Sequence, residues 1–236
     1  MSRAREGLTA DTSSLVGALV SYEKQRADAA IEAALALRSL DRSVDEVLLP
    51  CLEEIARKHT VDSAAWAFAA HWAGDWLRRA TRLGPAPIRP VSVVIGDATR
   101  DELDPDAPQV RALELFCVRE GMHVLTLSAR GIAGIGDAVA VHRPNLVVVA
   151  GRYLGDDTVA RWAYGIRLAL GPLPLAVFRR GDERARQRAS GNTVLPSTAA
   201  RASQMVLELA EAEVAGRSVG STAHGRQSGP LDRDAM

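Results

Sequence analysis

Four short apolar runs after residue 90, VSVVIGD, HVLTLS, NLVVVAG and LPLAVF, constrain the fold of this chain more than any other feature. They are β-branched and nearly continuous rather than alternating, the pattern of strands covered on both faces. Segments of helical spacing separate them: PDAPQVRALELFCVREG, IAGIGDAVAVHR and DTVARWAYGIRLALG. Strand alternating with helix at this interval predicts a parallel sheet with right-handed crossovers. AARASQMVLELAEAEVAG predicts a last amphipathic helix closing one face, and NTVLP, residues 192–196, is the candidate fifth strand.

Ahead of these runs the period is different. From Ser13 to about Arg38, Leu15, Leu19, Tyr22, Ala29, Ala33, Ala36 and Leu37 recur at helical spacing, which predicts one or two amphipathic helices. Ser43 followed by Glu46 reads as a capping box opening VDEVLLPCLEEIARKH, with Pro50 in the first turn or at a kink. A third helix, SAAWAFAAHWAGDWLRRATRL, ends at Gly84. GPAPIRP, residues 84–90, cannot continue a helix and sets the domain boundary. The expected plan is α/β: a flexible stretch 1–12, a helical bundle over 13–83, a linker over 84–90, a flavodoxin-like (Rossmann-like) parallel-sheet domain over 91–215 and a disordered tail over 216–236.

Composition narrows the function classes. Lys plus Arg and Asp plus Glu number 29 each, so there is no global basic field to neutralise nucleic-acid phosphates, and direct nucleic-acid binding is not expected. No apolar run approaches the ~20 residues of a spanning helix, and MSRAREGLTADTSS lacks the apolar core of a signal peptide. The expectation is a cytoplasmic protein without membrane association. Cys51 and Cys117 lie far apart in apolar helical patterns, as buried thiols do.

In an open parallel sheet, ligands bind beyond the carboxyl ends of the strands. The candidate loops are Gly96-Asp97-Ala98-Thr99, Ser128-Ala129-Arg130-Gly131, Gly151-Arg152-Tyr153 and Arg179-Arg180-Gly181. Three of them carry arginine, which suits an anionic or phosphorylated group and equally a solvated charged rim. Asp97 invites comparison with a receiver-domain phosphoacceptor, but VSVV opens without the acidic pair that chemistry needs. No G-x-S-x-G elbow, Walker loop or H-E-x-x-H is present, and catalysis is not expected.

VLLPCLEEIARKHTVDSAAWAFAAHWAGDWLRR, with its proline, its Glu-Ile turn, the following break and a second helix carrying His and ending in Trp-x-Arg-Arg, resembles the helical cap of cobalamin-binding modules. Such modules occur in methionine synthase and in light-sensing cobalamin-dependent transcriptional regulators. GDATRDE stands where that family has a Gly-Asp-x-His-x-x-Gly loop, and the resemblance covers about residues 20 to 215. It implies a tetrapyrrole held between cap and α/β domain, with cobalamin first, haem or another tetrapyrrole as alternatives, and none as a third outcome.

Thr99 stands at the position of the cobalt-ligating histidine and Glu102 at that of the second glycine. Thr99 is a poor cobalt ligand beside imidazole. Arg152 falls within the family's Ser-x-Leu turn, and Arg179 and Arg180 at its double glycine. In the cap, the family's tryptophan falls on His59 and its Glu-His pair on Ala70-His71. His71 with Trp72, and Trp66 and Trp76 on the same helix, form a face that lines a macrocycle or serves as bundle core. His59 and His71 are the candidate axial ligands for a metallated tetrapyrrole. The cofactor-binding set is therefore His59, His71, Trp72, Asp97, Thr99, Ser128, Arg152 and Arg179.

The resemblance implies a sensory or regulatory module acting through a protein partner, with a transcription factor among the partners and self-association through the cap. The alternatives are a cofactor-free interaction module and a corrinoid carrier for a methyltransferase.

Overall fold

The computed structural model describes residues 2–128, 135–151, 156–171, 173–178 and 193–224. The N-terminal part is helical: α1 (Ser2–Val20), α2 (Lys24–Leu37), α3 (Leu40–Ser43), a π-turn (Val44–Leu48), α4 (Leu49–Lys58) and α5 (Ala64–Arg82). The strands follow as β1 (Ser92–Asp97), β2 (His123–Ser128), β3 (Leu146–Ala150), β4 (Leu175–Phe178) and β5 (Thr193–Val194). Among them lie α6 (Ala107–Arg119), α7 (Ile135–His142) and α8 (Asp156–Leu170), and α9 (Ala199–His224) follows the last strand.

Helix periodicity accounts for the bundle. Leu15, Ala18 and Leu19 of α1, and Ala27, Ile31 and Ala34 of α2, are fully buried at positions three and four apart. Tyr22, at φ 59, breaks the chain between these helices. Ser63 caps α5, its hydroxyl accepting the Trp66 N–H at 3.1 Å.

The capping box expected at Ser43 and Glu46 does not form. Ser43 is fully buried one turn inside the helical rod and donates its hydroxyl to the Ser39 carbonyl at 3.0 Å. Glu46 pairs with Arg42 instead. The rod begins at Leu40 and widens before Pro50, where the Leu49 N–H reaches back five residues to the Val44 carbonyl. Proline has no N–H for the next helical bond and crowds the preceding turn, and one wide turn accommodates both effects.

At the two ends the helices run further than the pattern indicated. α1 starts at Ser2, inside the stretch expected to be flexible, where no proline stops it. α9 continues past Gly216 and Gly220 to His224, inside the expected tail, since each interior glycine costs a helix only about 1 kcal/mol.

The sheet is parallel throughout, in the order β2-β1-β3-β4-β5. This is the flavodoxin-like order, and its switch point lies between β1 and β3. The fifth strand is the segment expected from NTVLP, pairing Thr193 with Ala176 and Val194 with Val177. Alternation sends Val93, Ile95, Val148 and Phe178 into a core shared with α6, α9 and the helical bundle. Val94, Val147, Val149 and Val177 face Val139 of α7 and Trp162 of α8. Both cysteines are buried, and desolvation raises their thiol pKa values well above the ordinary range, which keeps them inert.

Among the described residues the bundle joins the α/β part at several places, two of them away from the β1 loop. α5 packs along α6, and Asp45 in the π-turn accepts the Ala200 N–H at 3.1 Å, at the N-terminus of α9. Burial is the largest influence on Asp45 and raises its carboxyl pKa above the usual 3.8. Between that value and the raised one the folded chain binds more protons than the unfolded chain, so this group's contribution to stability falls as pH rises. Asp45→Asn keeps an acceptor without the charge. Urea midpoints across the acid-to-neutral range should show a shallower fall for this variant and no loss at neutral pH. Asp45→Ala should lose about 0.5–2 kcal/mol with the cap.

Candidate functional site

β1 delivers the segment Asp97–Asp106 to the switch point, and that segment is folded on its own carboxylates. Asp97 Oδ1 accepts both the Thr99 N–H at 3.0 Å and the Thr99 hydroxyl at 2.6 Å. Asp101 accepts the Leu103 N–H at 2.9 Å. Asp104, 4% exposed, accepts the Asp106 N–H at 3.0 Å and the Arg100 N–H at 2.9 Å. Each aspartate closes an Asx turn on the residue two further on. The series ends at the N-terminus of α6, where negative charge is favourable.

Helix α5 lies directly on this loop. The fully buried Trp66 indole donates to the Leu103 carbonyl at 2.7 Å. Arg78 donates to Glu102 at 3.1 Å and to Asp75 at 2.7 Å. The hydrogen bond from Arg78 is the main reason the Asp75 carboxyl sits below its usual pKa. His71 Nδ1 lies 3.7 Å from Glu102 Oε2, with both side chains more than half exposed. Exposed ion pairs of this kind contribute about 0–1 kcal/mol, so the buried Trp66 contact dominates the attachment. Between loop and cap remains a cavity of about 170 Å³, lined by Gly74, Arg78, Asp97, Thr99, Arg100 and Ser128 among others. Ligand pockets for drug-sized molecules usually span about 300–1,000 Å³.

On the other face of the sheet the end of β1 is covered by an aromatic ring. A Cβ on Gly96 would stand 2.4 Å from the Trp162 ring, and Trp162 is fully buried. Glycine here is a requirement of packing. Gly151, after β3, has φ +137 and approaches the backbone of Ala98, so the neighbouring crossover is shaped for glycine as well.

Among the described residues, those expected to hold a cofactor do not come together as a set. Thr99 is 8% exposed and its hydroxyl is held by donating to Asp97, and a neutral hydroxyl is a poor cobalt ligand beside imidazole. Asp97 holds the turn. Ser128 lines the cavity, on the strand position paired with Asp97. Trp72 is 5% exposed and donates its indole N–H to Asp28 at 2.9 Å, which turns it into the bundle toward α2.

The macrocycle-lining face expected from His71, Trp72, Trp66 and Trp76 is therefore not assembled. At 100° per residue, His71 points about 140° away from Trp66 and about 100° away from Trp72. Bundle core is the reading the structure supports for Trp66 and Trp72. His59 follows the last residue of α4 in extended conformation, while His71 projects from the middle of α5. Arg152 and Arg179, with Arg130 and Arg180, lie outside the described residues. Among the described residues no three His, Cys, Asp or Glu side chains are grouped to hold a metal ion.

The described residues do not fit cobalamin held through a lower histidine. The ligand position is a hydroxyl already bonded, Glu102 reaches to the cap where the family has glycine, and the remaining space is small. Leu103 and Asp104 were not singled out from the sequence, and Trp66 entered only as one of the helical face with His71, Trp72 and Trp76. For the aspartates a signal existed in the spacing D-x-T, D-x-L, D-x-D, which is an Asx-turn pattern.

No protein-family model matches the chain, and no curated protein matches it. Similar solved structures include the methanol:cobalamin methyltransferase complex MtaBC from Methanosarcina barkeri, at 13% identity over 88% of this chain and 84% of that one, with a TM-score of 0.40. A cobalamin-binding protein from Desulfitobacterium hafniense is similar at 12% identity, over 86% of this chain and 98% of that one, with a TM-score of 0.41.

Proposed function

We propose that this protein is a non-catalytic regulatory module of the cytoplasm that acts through a partner protein, with its helical cap resting directly on the β1 loop and no macrocycle between them. The observation that carries this reading is the Trp66–Leu103 hydrogen bond at 2.7 Å, made by a fully buried indole across the junction where a cofactor would lie. The loop supports it further: Asp97, Asp101 and Asp104 accept backbone N–H groups in closed turns, which leaves them poorly placed as catalytic acids or bases. A corrinoid carrier is disfavoured, since such carriers use a lower-ligand histidine where this chain has Thr99. A transcription factor is one such partner.

The test is to mix the protein with hydroxocobalamin, adenosylcobalamin or haem, pass it through gel filtration and record the absorbance of the protein peak. The expected result is no corrin or Soret band with the protein at micromolar concentration. A co-eluting band that disappears in His71→Ala or His59→Ala would overturn the macrocycle-free reading and assign the ligand.

A further inference from the structure

On the outer side of the bundle, away from the β1 loop, α2 and α5 flank an open groove of about 530 Å³. Its floor is apolar, formed by Ile31, Leu35, Leu40, Trp76 and Ala80, and Leu83 at its edge is 85% exposed. Exposed apolar surface of this kind, bordered by charge, marks interaction sites in soluble proteins. The borders differ in sign. Glu32 stands on the α2 side, and Arg79 of α5 and Arg119 of α6 on the other, all three exposed. None of these three side chains makes a hydrogen bond or ion pair among the described residues, whereas Asp28, also on the α2 side, is held by Lys24 and Trp72.

We infer that this groove receives an amphipathic helix of a partner protein, with an apolar stripe on the floor and acidic residues along the flank that meets Arg79 and Arg119. The inference rests on the reading that the protein acts through a partner, and it names the surface and the chemistry of that partner.

The dimensions suit this occupant. From Trp76 to Leu83 is seven residues of helix, about 10 Å of floor at 1.5 Å per residue. That length matches anchors at i, i+4 and i+7 of a docked helix. A groove between two helices is also the place where a third packs with its ridges between theirs. Charge sets the orientation. Two guanidinium groups without a hydrogen-bonded partner, Arg79 being partly offset by Asp28 and Asp75, attract a glutamate flank on one side, and Glu32 on the other repels it, so the helix is accepted one way round.

The probe is a labelled peptide of about 15 residues, long enough to form helix, with leucines at i, i+4 and i+7, glutamates on one flank and lysines on the other. Fluorescence anisotropy against the full chain should show saturable binding. Arg79→Glu combined with Arg119→Glu should weaken it about tenfold or more, as should Leu83→Asp. Arg57→Glu on α4, outside the groove, should leave it unchanged. Circular dichroism checks that each variant is folded.

Three results would overturn the inference. The first is absence of saturable binding. The second is equal binding by a peptide with lysines in place of the glutamates. The third is a dimer in light scattering that the paired arginine substitutions split, which would assign the groove to a second copy of the chain. Pigment uptake in the absorbance experiment would overturn the macrocycle-free reading and leave the peptide result standing, so the two failures are distinguishable.

Discussion

Trp66→Ala is expected to lower unfolding free energy by about 3–5 kcal/mol, the range for deleting a large buried aromatic side chain. The indole is fully buried in the core shared by bundle and sheet, and its N–H is bonded to Leu103 at the opposite side of the junction. Alanine removes both the packing and the donor. Trp66→Phe separates them: most of the ring volume stays, while the Leu103 carbonyl loses its partner, at about 1–3 kcal/mol for an unsatisfied buried group. Urea denaturation of the three proteins measures the difference. A Phe variant as stable as the parent would mean that the bond does not hold the cap to the loop.

Gly96→Ala is expected to cost about 1–3 kcal/mol by overpacking. The new Cβ would lie within 2.4 Å of one Trp162 ring carbon and within 2.8 Å of two others. A fully buried ring enclosed by Val94, Val147 and Val149 has little freedom to move aside. Trp162→Leu should relieve the clash, so the two substitutions should be non-additive, with the double variant more stable than the sum of the singles indicates. Additivity within about 0.5 kcal/mol would show that ring and glycine are not in contact in solution.

Much of the architecture was legible in the sequence because burial leaves a periodic trace. β3, buried at all five positions, is a continuous apolar run, and α5 carries its alanines and tryptophans at helical spacing. The break between α5 and β1 over residues 84–90 was readable because proline is poorly accommodated in helix. The capping box was misread because Ser43 and Glu46 have the right spacing inside a helix that starts earlier. The deciding feature, the wide turn before Pro50, depends on where the preceding carbonyls go.

The candidate site was less legible, and for a different reason. His71 and Trp72 are adjacent in sequence but about 100° apart on the helix, so one faces solvent while the other enters the bundle. The contacts that close the site, Trp66 to Leu103 and Trp162 over Gly96, join segments separated by whole helices and strands. No local pattern encodes them. The Asx turns of the β1 loop were different, since their i, i+2 spacing stands in the sequence and needed only to be read as backbone chemistry.

The cap rests directly on the β1 loop through Trp66 and Leu103, with no macrocycle between them. Amide hydrogen exchange of the native protein tests it most directly at Thr99, Arg100, Leu103 and Asp106, whose N–H groups are bonded to loop aspartates. Exchange at these amides is expected to be slowed toward the rate set by global unfolding, with no change on adding hydroxocobalamin. Fast exchange at these amides, or protection that appears only with the corrinoid, would contradict it and show a crevice that opens to receive a ligand.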